Sequence, residues 1–131
     1  MSNKQLQEAY PFIDIVAIGS GSGTGIVNST LGQFSQPWQV DAIIVFNNDT
    51  VVHHVDLYLN NGATAFQYGS VTVPAGAGTA GAAPVDAFGV WALASFDAYA
   101  MPAGWQVQAS VEEAVTAGKL VDVYHFGAFL M

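Results

Sequence analysis

The chain lacks cysteine and arginine, and its 131 residues include only two lysines against ten acidic residues. Without cysteine it can form no disulfide, zinc–thiolate site or iron–sulfur cluster. Binding to a phosphate backbone or to anionic lipid depends on clustered Lys and Arg, so we expect neither a nucleic acid nor a membrane as a partner. Residues 1–10 lack a signal-peptide pattern, and no apolar run reaches about 18 residues. We therefore expect the chain to remain in the cytoplasm that makes it, or to join an assembly there.

Charged residues are also scarce, at 9% of the sequence, whereas 52% of the residues are hydrophobic and 12% are aromatic. Soluble domains are on average about one quarter charged, so this chain has few ionised groups to cover its surface. Its length suits a single domain with its own core. Because large neutral surfaces usually lie against a partner, we expect burial in an assembly. The alternative is a sparingly soluble monomer covered by Asn, Gln, Ser and Thr.

Alternation of apolar and polar residues with a period of two is the main pattern. It is clearest at 105–112, where Trp, Val, Ala and Val alternate with Gln, Gln, Ser and Glu. Segments 38–46 and 51–59 each have an apolar face in the same way. Segments 88–99 and 120–129 are apolar on both faces, a pattern typical of strands that are covered on both sides.

Turn residues separate these segments. The Asn-Gly pair at 61–62 suits a tight hairpin turn, and Pro-Ala-Gly at 74–76 and 102–104 indicates two more turns. We predict an all-β fold: a single antiparallel β-sandwich, jelly-roll-like, at 13–131, with an extended N-terminal arm at 1–12. The eight predicted strands lie near 12–18, 25–31, 38–47, 51–59, 66–73, 88–99, 104–111 and 120–129.

Three segments do not fit a strand. The glycine-rich segment 19–25 and the Ala-, Gly- and Thr-rich segment 75–84 are predicted loops that are mobile or ordered by a neighbour. Residues 111–117 are compatible with one or two helical turns, since Ser110 and Glu113 have the spacing of a capping box.

No catalytic or cofactor-binding motif is complete. The alternating glycines at 19–25 do not match the dinucleotide-binding pattern G-x-G-x-x-G. When the pattern starts at Gly19, its sixth residue is Thr24 and not glycine, and no helical pattern follows. Leu120 follows the only Gly-Lys pair, where a P-loop requires Ser or Thr. No serine lies in a nucleophile elbow, and the adjacent Glu112 and Glu113 do not resemble a glycosidase pair. We assign no catalytic residue and no cofactor, and we expect that the chain is not an enzyme.

The histidines are the remaining candidates for a metal or acid–base site. His53 and His54 are adjacent and point to opposite faces of a strand, so they cannot bind one ion together. His54 shares a face with Asp56, and a distant His125 could complete a site with them. The favoured alternative is a surface histidine beside a carboxylate, with His53 partly buried in the core, and we predict no metal site.

The three tryptophans could line a sugar-binding face, because aromatic rings stack on sugars as well as packing in cores. Alternation places Trp38 and Trp105 on apolar faces, which favours the core. Trp91 stays open between the core and an interface.

Several short motifs follow one another along the last two thirds of the chain. They are Phe46-Asn47-Asn48-Asp49, Leu59-Asn60-Asn61-Gly62, Val71-Thr72-Val73-Pro74-Ala75-Gly76, Met101-Pro102-Ala103-Gly104-Trp105-Gln106-Val107-Gln108-Ala109-Ser110 and Val121-Asp122-Val123-Tyr124-His125-Phe126-Gly127. In this order they resemble small β-sandwich virion proteins of tailed bacteriophages, found on capsid exteriors and at necks and tails. The resemblance covers roughly 38–131, the glycine-rich first quarter and segment 112–118 depart from it, and it implies no catalytic residues.

The resemblance implies a structural role in the virion. We expect a capsid decoration (cement) protein that packs against its own copies as a homo-oligomer, such as a trimer, and against the major capsid protein or other virion subunits. Segments 1–12, 19–25 and 75–84 are the expected contact regions. The alternatives are a neck or tail component, and a receptor- or glycan-binding module that exposes several aromatic residues on one face.

Overall fold

The computed structural model describes residues 9–96 and 100–130, which form eight strands in two antiparallel sheets. The strands and the one α-helix are β1 (Ala9–Gly19), β2 (Val27–Asn28), β3 (Trp38–Asn47), β4 (His53–Asn60), β5 (Ala65–Val73), β6 (Val85–Asp86), α1 (Phe88–Leu93), β7 (Gln106–Val111) and β8 (Leu120–Leu130). A single 3-10 turn at Ser20–Ser22 follows β1.

The first half of the chain pairs antiparallel with the second half: β1 with β8, β2 with β7, β3 with β6 and β4 with β5. This long hairpin then rolls up, because β3 also pairs with β8 and β4 with β7. The resulting sheets have the orders β1-β8-β3-β6 and β2-β7-β4-β5. Two four-stranded sheets connected in this way form a jelly-roll sandwich, so the predicted fold class is confirmed.

The core lies between the two sheets and consists of the side chains that alternate inward along each strand. Aromatic rings fill one end of it, where Trp38 contacts Phe34 at 4.7 Å and Trp91 at 6.1 Å between ring centroids. Trp38 and Trp91 are fully buried. The prediction of Trp38 as a core residue is therefore confirmed, and the open question about Trp91 is resolved in favour of the core.

The predicted strand at 88–99 is wrong. Residues 88–93 form the helix α1, and residues 97–99 lie outside the described part of the chain. A run that is apolar on every side can be a buried strand or a buried helix, and periodicity does not separate the two. Packing decides here, because the helix places Trp91 5.6 Å from Tyr68 and 4.9 Å from Phe96.

The predicted helical turn at 111–117 is also wrong. β7 ends at Val111, and the following residues form turns without a helix. The two residues of the supposed capping box have other partners: the Ser110 hydroxyl lies 3.1 Å from the Tyr58 hydroxyl, and the Glu113 carboxylate lies 2.9 Å from the His54 ring. Contacts with residues of β4 thus replace the local hydrogen bonds that the start of a helix would need.

Other differences concern boundaries. The predicted strand at 25–31 is reduced to the two residues of β2. Residues 9–12 of the predicted arm belong to β1 and pair with β8, while residues 1–8 lie outside the described residues. The loop at 75–84 is followed by the short strand β6, which was not predicted. The loop is ordered by a neighbouring strand, since the backbone N–H of Asn47 at the end of β3 donates to the Ala77 carbonyl at 2.9 Å.

Candidate functional site

The described residues contain no pocket and no group of three or more His, Cys, Asp or Glu side chains that could hold a metal ion. In the same part of the chain, no helix has the length and hydropathy that a membrane span requires. The search for a site therefore turns to the buried polar side chains and to the outer surfaces of the two sheets.

The first polar cluster centres on Asp49, in the connection between β3 and β4. His53 Nε2 donates a hydrogen bond to Asp49 Oδ2 at 2.8 Å, and solvent reaches neither side chain. The backbone amides of Thr116 and Thr50 donate to the same carboxylate at 2.9 and 2.7 Å. The hydrogen bond from His53, followed by those from Thr116, holds the pKa of Asp49 well below its ordinary value. This pair joins the β3–β4 connection to the segment that precedes β8.

His54 occupies the opposite, outer face of β4, as the sequence predicts for adjacent residues of a strand. Its Nδ1 lies 2.9 Å from Glu113 Oε1, and this hydrogen bond raises the pKa of His54 and lowers that of Glu113. Burial, followed by the Glu112 carboxyl group, raises the pKa of Asp56 on the same face. His54 is thus a surface histidine beside a carboxylate, the alternative that the sequence favoured.

His125 does not join His54 and Asp56, because it lies on β8 in the other sheet and points into the core. Neither of its ring nitrogens has a hydrogen-bond partner. Burial lowers the pKa of His125 to about 4, although the backbones of Asp14 and Val123 oppose the shift weakly. The three-residue metal or acid–base arrangement considered from the sequence is therefore not assembled.

The outer surface of the β1-β8-β3-β6 sheet is the most unusual feature of the molecule. Along 13–17 of β1, 120–126 of β8 and 42–46 of β3, side chains that alternate with the buried ones form what we call the apolar face. On β3 it ends before Gln39 and the exposed Asp41. Its members are Ile13, Ile15, Ala17, Ala42, Ile44, Phe46, Leu120, Asp122, Tyr124 and Phe126. All but Asp122 are apolar or aromatic, and Ile13 and Leu120 are 54% and 44% exposed.

The backbone register explains why these side chains form one continuous surface. In the β1–β8 ladder Ile13 is opposite Phe126 and Ile15 is opposite Tyr124, and in the β3–β8 ladder Ile44 is opposite the same Tyr124. Side chains directly opposite each other in neighbouring strands share a face and touch. The Tyr124 ring accordingly stacks near Phe126, with 6.2 Å between centroids, and meets the Phe46 ring at 5.1 Å.

The apolar face carries little charge. Asp122 is its one ionisable acid; its Oδ1 is buried without a partner, and burial raises the pKa of this carboxyl group. Asp86 of β6, opposite Ile44, borders the face. A chain with a formal net charge of −8 therefore presents a broad surface that is almost free of charge.

The outer surface of the other sheet is polar. The Asn28 side-chain oxygen accepts from Gln108 at 2.6 Å and from Gln106 at 3.1 Å, and the Asn60 amide donates to the Gln108 oxygen at 3.3 Å. Gln106 and Gln108 are themselves buried and satisfied by these bonds, whereas the His54–Glu113 pair is exposed to water. An antiparallel sandwich ordinarily has two solvated outer faces, so the contrast singles out the apolar face.

The tryptophans do not form an exposed sugar-binding surface. Trp38 and Trp91 are fully buried, and the half-buried Trp105 stacks against Phe66 at 6.3 Å. On the outer surface of the β1-β8-β3-β6 sheet, three half-buried aromatic residues lie together that the sequence analysis did not single out: Phe46, Tyr124 and Phe126. In the sequence, segment 120–129 is apolar on both sides, a pattern that predicts a strand covered on both sides. Among the described residues, no sheet covers its outer side.

No protein-family model, no curated protein and no solved structure matches this chain.

Proposed function

We propose that this protein is a structural subunit of a tailed-bacteriophage virion, and specifically a capsid decoration (cement) protein. In this role the apolar face packs against its own copies or against a neighbouring virion subunit and thereby stabilises the particle. The observation that carries the proposal is the apolar face itself: on their outer side, three long strands carry isoleucine, leucine and aromatic side chains around a single carboxyl group. Ile13, Ala17 and Leu120 are exposed, and the other side chains of the face are half-buried.

The size of the apolar face supports a stable contact. The face spans five to seven residues of each strand; strands rise about 3.3 Å per residue and lie about 4.8 Å apart, so it covers roughly 300 Å². An ordinary protein interface buries about 800 Å² on each partner, and the largest apolar patch of a typical monomer, about 300–600 Å², is often functional. The apolar face is therefore large enough to form the centre of an interface whose rim comes from the adjoining loops.

The jelly-roll fold and the sequence resemblance add independent but weaker support. Jelly rolls occur in viral capsid domains and in lectins, so the fold alone selects no single function. A glycan-binding module is the alternative, and the grouped rings of Phe46, Tyr124 and Phe126 are the observation in its favour. Sugar recognition also needs polar groups for the hydroxyls, however, and this face offers only Asp122 and the Tyr124 hydroxyl.

A charge placed on the apolar face tests the packing role. Size-exclusion chromatography with light scattering measures the mass of the wild-type chain, which is 13.7 kDa as a monomer. We expect a multiple of that mass, and we expect Ile13→Asp to lower the mass by removing the contact through the apolar face. Leu93→Asp is the matched control, since Leu93 on α1 is 88% exposed and lies outside the apolar face. The control should retain the wild-type mass.

The particle role is tested by cosedimentation with heads of the encoding phage that were assembled without this protein. The wild-type chain and Leu93→Asp should sediment with the heads, and Ile13→Asp should stay in the supernatant. A wild-type chain that remains monomeric at high concentration and does not sediment with heads would overturn the proposal. A glycan array tests the alternative. If the protein is a glycan-binding module, the wild-type chain should bind glycans and Tyr124→Ala should abolish that binding.

A further inference from the structure

We propose that the edge strand β5 pairs antiparallel with β5 of a second copy of this chain, so that two copies share one continuous sheet. This contact is separate from the apolar face, since β5 belongs to the other sheet. The β5 edge would be a second surface through which copies associate, and this inference does not depend on the proposed function.

The argument begins with the four sheet edges. Unpaired edges invite pairing with other chains, and proteins protect them by short strands, charges, prolines or covering loops. Two edges, β2 and β6, are only two residues long. The third, β1, contains Pro11 and Asp14, and the amide of Thr30 bonds to its Ile15 carbonyl at 2.9 Å. Three of the four edges therefore carry a protective feature.

β5 is different. Its nine residues, Ala-Phe-Gln-Tyr-Gly-Ser-Val-Thr-Val, include no charged residue and no proline. Its ladder partner is β4, and along the described part of the chain no strand pairs with its other side. α1 packs against β5 through the contact of Val90 with Gly69, but it forms no backbone pairing with this strand. Among the described residues, no second strand therefore pairs with the backbone groups on the outer edge of β5, although the Val73 carbonyl accepts from the Asn47 side chain at 3.3 Å.

One irregularity determines which part of β5 can pair. The register against β4 shifts between Leu57 and Tyr58, which leaves Tyr68 without a directly opposed residue. Such a bulge bends a strand and interrupts its edge. The regular part is Gly69–Val73, where the register against β4 continues without a break. Ser70 and Thr72 are exposed on this part and Val71 is half-buried.

A second copy fits this edge better than a partner of another kind. A two-fold axis at Val71 places Ser70 of one copy opposite Thr72 of the other, and hydroxyl residues form favourable cross-strand pairs. It also places the small Gly69 opposite Val73. Each copy has a formal net charge of −8, so copies approach most easily where charge is sparse. β5 itself carries no charge, and Asp56 lies one strand away, opposite Ser70. A basic partner would instead be drawn to the acidic side chains of Asp56, Glu112 and Glu113.

The absence of cysteine makes a direct test possible. Val71→Cys introduces the only thiol of the chain at the proposed axis, where the two Cβ atoms would lie within the range that a disulfide can bridge. Under mild oxidation we expect covalent dimer to form at least about tenfold faster than with Ala103→Cys, a control thiol in the exposed turn before β7, because pairing raises the effective concentration. Non-reducing electrophoresis measures both rates. Equal rates for the two variants would overturn the proposal.

Charge substitutions test the register. Adding Ser70→Lys and Thr72→Lys to Val71→Cys places lysines opposite lysines in the pair, so the cross-linking rate should fall to that of the control. Adding Ser70→Lys and Thr72→Glu instead places opposite charges together and should restore it. If both triple variants cross-link equally, the proposed register is wrong. Ile13→Asp should leave cross-linking intact, so loss of this contact and loss of the apolar-face contact are distinguishable.

Discussion

Asp49 and His53 form a hydrogen-bonded pair that is wholly removed from solvent, with 2.8 Å between Oδ2 and Nε2. They are only four residues apart, yet the same carboxylate also receives the amide of Thr116 from the far end of the chain. The pair therefore ties the β3–β4 connection to the segment that precedes β8. The strength of the Asp49–His53 hydrogen bond should depend on the charge of the carboxylate.

Asp49→Asn should destabilise the protein and weaken its response to acid. The pKa of Asp49 in the folded state lies below its ordinary value of 3.8. The unfolded state then binds more protons than the folded state as the pH falls below about 5, so the stability from this carboxylate is complete above that pH and is lost on further acidification. We expect the Tm of the variant at pH 7 to fall by more than about 5 °C.

Urea unfolding of the wild type and Asp49→Asn at pH values from 6 to 2 measures this effect. The wild type should lose more stability across the range than the variant does. Asp41→Asn is the control, because Asp41 is exposed and its carboxylate accepts a 3.2 Å hydrogen bond from the Gln39 side chain. Identical acid profiles for the wild type and Asp49→Asn would contradict the prediction.

His125→Leu should stabilise the protein, most strongly in mild acid. Burial lowers the pKa of His125 from 6.5 to about 4, so the folded state binds fewer protons than the unfolded state between these values. The wild type should thus lose about 3 kcal/mol as the pH falls from about 7 to about 4. One acidic residue faces His125: Asp14 lies directly opposite it on the inner side of β1. Asp14 Oδ1 accepts hydrogen bonds from the Thr30 hydroxyl and the Leu31 backbone N–H.

Leucine also removes the two unpartnered ring nitrogens of His125, and an apolar side chain of similar volume is tolerated in a core. Chemical denaturation at pH 7 and at pH 5 measures the difference. The gain in stability from His125→Leu should be larger at pH 5. A variant that is less stable than the wild type at both pH values would show that the histidine has a partner in solution.

Gly127→Ala should be among the most damaging small substitutions. A Cβ atom at this position would collide with the backbone carbonyl of Gln39 and approach Phe12 Cζ to 2.8 Å. Because a backbone atom cannot rotate away, β3 and β8 would have to separate, at a cost of about 3 kcal/mol. Thermal unfolding compares this variant with Gly21→Ala, whose Cβ would meet no atom within 4 Å. Similar Tm values for the two variants would contradict the close packing.

Asn47→Ala should separate the loops that meet at the end of β3. The Asn47 amide nitrogen donates to the carbonyls of Val51 and Pro74 at 3.0 and 3.1 Å, and the side-chain oxygen accepts from the Asp49 amide at 2.9 Å. Alanine leaves these groups without partners in a buried place, at a cost of about 3 kcal/mol. Asn48→Ala removes a single exposed hydrogen bond and should cost about 1 kcal/mol or less in the same urea titration.

A large part of the fold was predictable because sheet strands alternate with a period of two. The core positions of Trp38 and His53 follow from that alternation, as does the opposite, exposed position of His54. The helix at Phe88–Leu93 was not predictable in this way. Its run of apolar residues has no polar side, and only the fit of Trp91 against Trp38 and Tyr68 distinguishes a helix from a strand there.

The candidate site was only half predictable. The two apolar sides of β8 were visible at 120–129, but the sequence pattern indicated cover on both sides. In the folded chain the inner side faces the core and the outer side, with Tyr124 and Phe126, has no covering sheet among the described residues. Which side of a strand a neighbouring element covers depends on strand order, and strand order is set by contacts between residues far apart in the chain.

The sequence by itself determined the chemical character of this protein: no thiol, almost no positive charge, few ionised groups and strands of alternating polarity. These properties follow from composition and local geometry, so they need no knowledge of which segments meet. Tertiary structure alone decided that β1, β8 and β3 lie side by side and collect their outward isoleucines and aromatic rings into one surface, and that β5 remains at an open edge. Such juxtapositions depend on long-range pairing, since each strand alone buries too little surface to select its neighbours.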